Sequence, residues 1–310
     1  MPSNPRARRH TSSRTGVPKE LRQTTTGLAS VDALSVKRHP AIQDYVKSVA
    51  EYVLQAPQLT AGRSKQAQIA LSAALGRALS DELVAQVPRI KPHPGELNVA
   101  GALRNARADV SEAHALDGLR LAVEIKPINL AVGRALWNRF GDIRSFAVNI
   151  HLKFPFAVVG GVLAVPTWEW KKITKTMAAA RSAAEAAAKE AWQISAELPY
   201  DTETLEDAHL DQGEEDISEE TEVESLAEAG SELYKSPTVD LIQRLIKRLL
   251  RTRRRDTEAD PAHLLEAIAV IVYDPDAGLI HNELPPQDSG LRWNDFISIM
   301  ADTYDVRFED

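Results

Sequence analysis

The chain has no cysteine, which excludes a disulfide framework, thiolate metal ligands and a cysteine nucleophile. It has no long apolar run either. The purest stretch, Phe156 to Val165, stops at Pro166 and is about half the length a spanning helix needs. Arg6, Arg8, Arg9 and Arg14 open the chain with no apolar stretch behind them, so no secretory signal is read and a cytoplasmic protein is expected. There is no phosphate-binding Gly-x-x-x-x-Gly-Lys-Ser/Thr loop and no Gly-x-Ser-x-Gly elbow, and the 8 histidines include no His-x-x-x-His pair. Nucleotide-loop enzymes, elbow-type serine hydrolases and histidine-based zinc hydrolases lack their signatures here.

A net basic charge is also absent, since the formal net charge is -7. The average misleads. Fifteen Asp and Glu and no Lys or Arg lie between Glu197 and Glu232, and removing those fifteen charges turns the net -7 into +8 for the rest. The protein reads as a mildly basic body carrying an acidic insert, and such a body can hold a polyanion.

What is present is ample core material: 44% of the 310 residues are hydrophobic. Residues 1–35, rich in Ser, Thr, Arg and Pro, read as a flexible basic arm. A core with N-terminal helices spans 36–196, the acidic insert 197–235 is expected to be disordered, and 236–310 completes the domain. Helical periodicity predicts helices from Pro40 to Leu54, from Ser64 to Val87 and from Leu130 to Arg144. An alanine-rich helix is expected from Thr167 to Ser195, an amphipathic one from Pro237 to Arg255 and a closing one from Trp293 to Tyr304. Phe156 to Val165 and Ala267 to Tyr273 are short, apolar and β-branched, as strands buried on both faces are. The order of elements predicts an α/β fold with a mixed central sheet flanked by helices.

The chemistry concentrates in one hairpin. Residues 119–126, Leu-Arg-Leu-Ala-Val-Glu-Ile-Lys, alternate with period two. Leu119, Leu121, Val123 and Ile125 are expected on one face, with Arg120, Ala122, Glu124 and Lys126 on the other. Arg107 to Ala113 is the expected antiparallel partner, joined by an Asp117-Gly118 turn. That turn sets Asp109 opposite Lys126, and a one-residue slip sets it opposite Glu124. In both registers Asp109, Glu124 and Lys126 project from the same face. Asp117 is a rival carboxylate, but it belongs to turn chemistry, and seven residues put it roughly 20 Å from Glu124. Two neighbouring carboxylates repel, and a divalent cation relieves this; all-oxygen coordination suits Mg²⁺. With a lysine beside them, these are the parts needed to hydrolyse a phosphodiester.

Asp109 followed by Glu124-Ile125-Lys126 resembles the PD-(D/E)XK nuclease superfamily, the fold of most type II restriction endonucleases. The resemblance covers about Gly95 to Pro166 and the helix after it, with Ala108-Asp109 standing where the family often has Pro-Asp. It implies a restriction endonuclease-like core, Asp109 and Glu124 as Mg²⁺ ligands, and Lys126 as the catalytic lysine. A further acid often comes from the segment before the hairpin, where Glu82 and Glu96 are candidates. Asn129 and Arg139, just past the strand, could touch the scissile phosphate. Arg244, Lys247, Arg248 and Arg251, followed by Arg253, Arg254 and Arg255, form the densest basic stretch available to a DNA backbone. A second stretch is Lys171, Lys172, Lys175 and Arg181 beside Trp168 and Trp170. His114, near the hairpin tip, is expected to be solvated.

The expected function is thus a Mg²⁺-dependent endonuclease for double-stranded DNA, of a restriction or phage-defence type. Cutting both strands takes two active sites, so a homodimer is expected. The competing reading is a catalytically inactive nucleic-acid-binding protein of the same fold, with the acidic insert as DNA mimic or regulator.

Overall fold

The computed structural model describes residues 40–93, 95–173, 182–184 and 232–309. The basic arm, most of the acidic insert, Lys175 and Arg181 lie outside the described residues.

Two apolar runs make the centre. β5 (Val158–Pro166) is buried at every position, and β8 (Ala267–Asp274) at nearly every one. They pair in parallel, and β4 (Gly118–Pro127) lies parallel on the other side of β5. β3 (Val110–His114) and β9 (Leu279–Ile280) close the two edges antiparallel, giving the order β3-β4-β5-β8-β9. Strands sheltered on both faces cannot alternate apolar with polar, and the Val- and Ala-rich sequences of β5 and β8 obey this.

One sheet face packs against α1 (Pro40–Gln55), α2 (Ala61–Gln86) and α5 (Trp293–Phe308), with Val110, Leu121, Val123 and Ile125 facing them. The other face packs against α3 (Val132–His151) and α4 (Val239–Leu250). Gly160 and Gly161 serve this sandwich, as close backbone packing requires. A Cβ on Gly160 would come within 2.8 Å of the Phe296 ring, and one on Gly161 would collide with Ile143 on the opposite face.

The structure corrects several expectations. The run 107–113 is not one strand. β2 (Asn105–Ala108) pairs with β1 (Leu97–Ala100) in a separate two-stranded sheet, and the chain bends at Asp109 before entering the central sheet. The hairpin turn is a three-residue loop, not two, because His114 pairs with Gly118. Gly118 sits at φ 74°, a backbone conformation that favours glycine. Glu112 lies opposite Leu121 while Ala113 lies opposite Leu119, so Arg120 is an extra residue, a β-bulge. The bulge moves Leu119 onto the α3 face beside Ala122 and sends Arg120 to stack over Phe308 of α5.

β6 (Trp168–Lys172) replaces the expected start of the alanine-rich helix, and β7 (Leu233–Pro237), which straddles the end of the expected acidic insert, pairs with it. Strand geometry puts Trp168 and Trp170 on one side, edge to face at 5.2 Å. There Trp170 Nε1–H donates to the Val53 carbonyl at 2.8 Å, and Lys235 covers Trp168 at 4.4 Å. α4 stops at Leu250, not Arg255, since no apolar residue in 251–255 extends its buried stripe of Ile242, Leu245, Ile246 and Leu249. Among the described residues, no helix is long and apolar enough to cross a membrane.

Candidate functional site

The bend at Asp109 builds the site. Past it, Val110 pairs with Val123, the register that places Asp109 at the level of Glu124. Asp109 adds no regular rung to the ladder there. Its backbone N–H donates to the Val123 carbonyl at 3.0 Å, and its carboxylate takes a ladder position itself, accepting the Ile125 N–H at 2.6 Å. The side chain is thereby fixed against the backbone unit between Glu124 and Lys126. The bulge matters here: counted from the tip alone, the pairing has the wrong parity, and the extra residue at Arg120 restores it.

Glu124 and Lys126 lie on the sheet face opposite Val123 and Ile125, and they form an ion pair. Glu124 is 8% exposed. Burial pushes its carboxyl up to about 7, against the charge and hydrogen bond of Lys126, and the nearby charges of Asp109 and Asp142 add to the rise. Burial also raises Asp109, opposed by the Ile125 hydrogen bond and by Lys126, with Glu96 raising it further and Arg107 lowering it. Both carboxyls therefore hold protons more tightly than usual, and Glu124 does so in part because of the Asp109 charge.

Asp109 and Lys126 face a cleft of about 370 Å³ between α2, the strands and α3, whose lining among the described residues does not include Glu124. Asp109, Lys126, Asn129, Arg139 and Glu96 all line it. Glu96 is ion-paired with Arg107 at 2.8 Å. Asn129 is 3% exposed, and its Oδ1 accepts the Tyr273 hydroxyl at 3.4 Å. Arg139 meets Asp142 at 3.4 Å.

Other expectations fall elsewhere. Glu82 is not at this cleft: it points across α2 to α5, where its Oε2 accepts the Trp293 indole N–H at 2.7 Å. The helical phase decides this, since Gly76 and Ser80 face the cleft and Glu82 lies about 200° round the helix from Ser80. Asp117 stays at the tip as expected, bonded to Arg120 Nε at 2.6 Å. His114 is exposed near the tip as expected, and its Nδ1 accepts the Leu116 N–H at 3.3 Å.

Arg244, Lys247, Arg248 and Arg251 are exposed on α4, outside the cleft lining, and Arg248 lies over the Trp137 ring of α3 at 5.4 Å. The arginines after them are diverted. Arg253 pairs with Asp260 at 2.7 Å, Arg254 donates to the Gly290 carbonyl, and Arg255 is buried against Glu266. Lys171 is paired with the buried Glu169 at 3.2 Å.

Sequence reasoning missed the α2 wall. Gln68, Ser72, Gly76 and Ser80 line the cleft with Arg77 beside them. Their spacing of four, in small and polar residues on a helix otherwise rich in Leu and Ala, was the available signal. No group of three or more His, Asp or Glu among the described residues is placed to hold a metal ion. Comparison with known proteins finds no matching family model, no matching characterised protein and no matching solved structure.

Proposed function

We propose that this chain is a metal-dependent nuclease of the PD-(D/E)XK kind, cutting double-stranded DNA in a restriction or phage-defence role. One observation carries the reading: the Asp109 carboxylate is bonded to the backbone between Glu124 and Lys126, at the mouth of a cleft with basic walls. A merely solvated hairpin face needs neither the burial of Glu124 nor a carboxylate inserted into the ladder.

Asp109 and Glu124 suit a hard cation. Both carboxyls are destabilised as anions by burial and by neighbouring carboxylates (Glu96 for Asp109, Asp109 and Asp142 for Glu124), and Mg²⁺ is commonly bound by one or two carboxylates plus waters. They would hold the ion, which when bound neutralises charge on a phosphate and acidifies a water. Lys126 compensates the Glu124 charge and presents a cation to the cleft, where negative charge develops on the phosphorus oxygens. Asn129, its amide oxygen occupied by Tyr273, has its N–H₂ group left to donate. Arg139 and Arg77 line the cleft on α3 and α2, where they can take backbone phosphates. The exposed cations of α4 extend the basic surface. Two copies of the chain would supply one site for each strand.

The test is supercoiled-plasmid cleavage with Mg²⁺, comparing wild type with Glu124→Ala and Lys126→Ala. The expected outcome is a loss of at least about 100-fold for both, on the scale of a lost charge-stabilising group. Wild-type-like cutting by both variants overturns the assignment. Salt-sensitive DNA binding with no cleavage by wild type would instead favour an inactive binding protein of the same fold.

A further inference from the structure

A second basic site lies behind α3. A small cavity of about 110 Å³ sits where α3, the end of α4 and the loops before β8 and α5 meet. Arg144, Arg253, Arg254 and His263 line it, and among the described residues no carboxylate does. Phe140, Leu249, Ile268 and Leu291 supply apolar walls.

The arginines are unequally satisfied. Arg253 is neutralised by Asp260 at 2.7 Å. Arg254 donates to the Gly290 carbonyl at 2.9 Å, a neutral acceptor. Arg144 lies over the Phe140 ring at 6.0 Å, and its Nε is buried with no hydrogen-bond partner. Nε is sealed from solvent, so an oxyanion entering the cavity would meet the rest of the guanidinium, which among the described residues has no carboxylate partner. The hydroxyl protons nearby are already committed: Thr252 donates to the Arg248 carbonyl and Ser289 to the Pro286 carbonyl. Unused capacity therefore rests on the guanidinium groups, whose forked donors match oxyanions.

The pocket is separate from the cleft. Glu124, Gly161 and Ile268 are level across three neighbouring strands, and α3 crosses above Gly161 with Ile143. Asp142 influences Glu124 on one flank of the helix, while Arg144 lines the cavity against Ile268 on the other.

We infer that this pocket binds a phosphate-sized oxyanion, held by Arg144 and Arg254. The volume decides the size of the ligand. Pockets for drug-sized molecules run about 300–1,000 Å³, so this one admits a single phosphate group and not a whole nucleotide. The inference does not depend on the nuclease reading.

Thermal denaturation of the full chain with added inorganic phosphate tests it, with ionic strength held constant by chloride. Wild type is expected to show saturable stabilisation, and Arg144→Gln to weaken it at least about tenfold, the scale of one lost charge-assisted hydrogen bond. Arg144→Lys, which keeps the charge and the stem, is expected to weaken it as well, because a point charge replaces the fork; it also serves if the glutamine variant does not fold. Arg244→Gln with Lys247→Gln, on the exposed face of α4, should leave the response intact. Non-saturating stabilisation, or a response that survives Arg144 substitution and disappears with the α4 pair, overturns the inference. Competition by a 5′-phosphorylated dinucleotide but not its 5′-hydroxyl counterpart would assign the phosphate to a nucleic-acid end, whereas competition by phosphate alone would assign the free ion.

Discussion

Glu124 and Glu266 are both buried glutamates on or beside the central sheet, and they behave in opposite ways. Glu266 is 1% exposed and meets four donors. Its Oε2 accepts the Val159 N–H at 2.9 Å and faces His151 Nε2 at 3.2 Å; its Oε1 faces Arg255 at 3.1 Å and Arg307 at 2.7 Å. Burial alone would raise its carboxyl, but His151, Arg307 and the Val159 N–H outweigh this and hold it below the usual range. Glu124 has one cation, Lys126, with Asp109 and Asp142 acting against it, and its carboxyl rises to about 7. The lesson is that burial alone does not set how a carboxylate titrates. The count of donors does: a saturated anion ties four chain segments together, and an undersaturated one retains capacity for something else.

The largest expected effect tests the saturated side. Glu266→Ala leaves Arg255 and Arg307 buried without their carboxylate and should cost about 3–5 kcal/mol of stability by denaturant unfolding. A loss under about 1 kcal/mol would show that the cluster is not the tie described.

Next comes the unsaturated side, with the sign reversed. The raised carboxyl of Glu124 favours the folded state fully below its unfolded value of 4.5, and that contribution disappears as pH rises through about 7. Glu124→Gln, a permanent neutral mimic, should therefore raise stability at pH 8 by up to about 3 kcal/mol and change little at pH 4, while abolishing cleavage. Destabilisation at pH 8 would break the contrast. Glu266 runs the other way: its contribution is full above 4.5 and is lost as pH falls through its depressed value. Wild type should thus lose more stability on acidification than Glu266→Gln does, and equal acid sensitivity of the two would count against the network.

The smallest effect concerns tuning. Glu96 raises Asp109, so Glu96→Gln should move the titration of the Asp109 carboxyl, followed by NMR, to lower pH by a fraction of a unit. A move to higher pH would remove Glu96 from the site.

These two regions were unequally legible in the sequence. The buried strands and the helices α1, α2, α3 and α5 announced themselves by period and by β-branched runs, because local pattern and burial agree there. Glu124 and Lys126 were readable from simple alternation. The bend at Asp109 was not, since a switch between two sheets leaves no periodic trace. Glu82 looked as eligible as Glu96 until helical phase separated them. Trp168–Lys172 was hidden by the alanine-rich sequence that follows it, and its partner strand comes from the far end of the acidic insert. The Glu266 network was invisible, because His151 and Glu266 lie 115 positions apart and only the parallel pairing of β5 with β8 brings their segments together.

The bulge at Arg120 has one more consequence, for insertions and deletions. It divides β4 into two reading frames, one for the hairpin tip and one for the stretch bearing Glu124 and Lys126. Across a regular ladder, losing one residue turns every later side chain to the wrong face. Here, removing the extra residue would reset the tip and leave Asp109 level with Glu124. The tip, with Leu116 89% exposed, is thus free to vary in length and sequence without carrying the working end of the strand along with it.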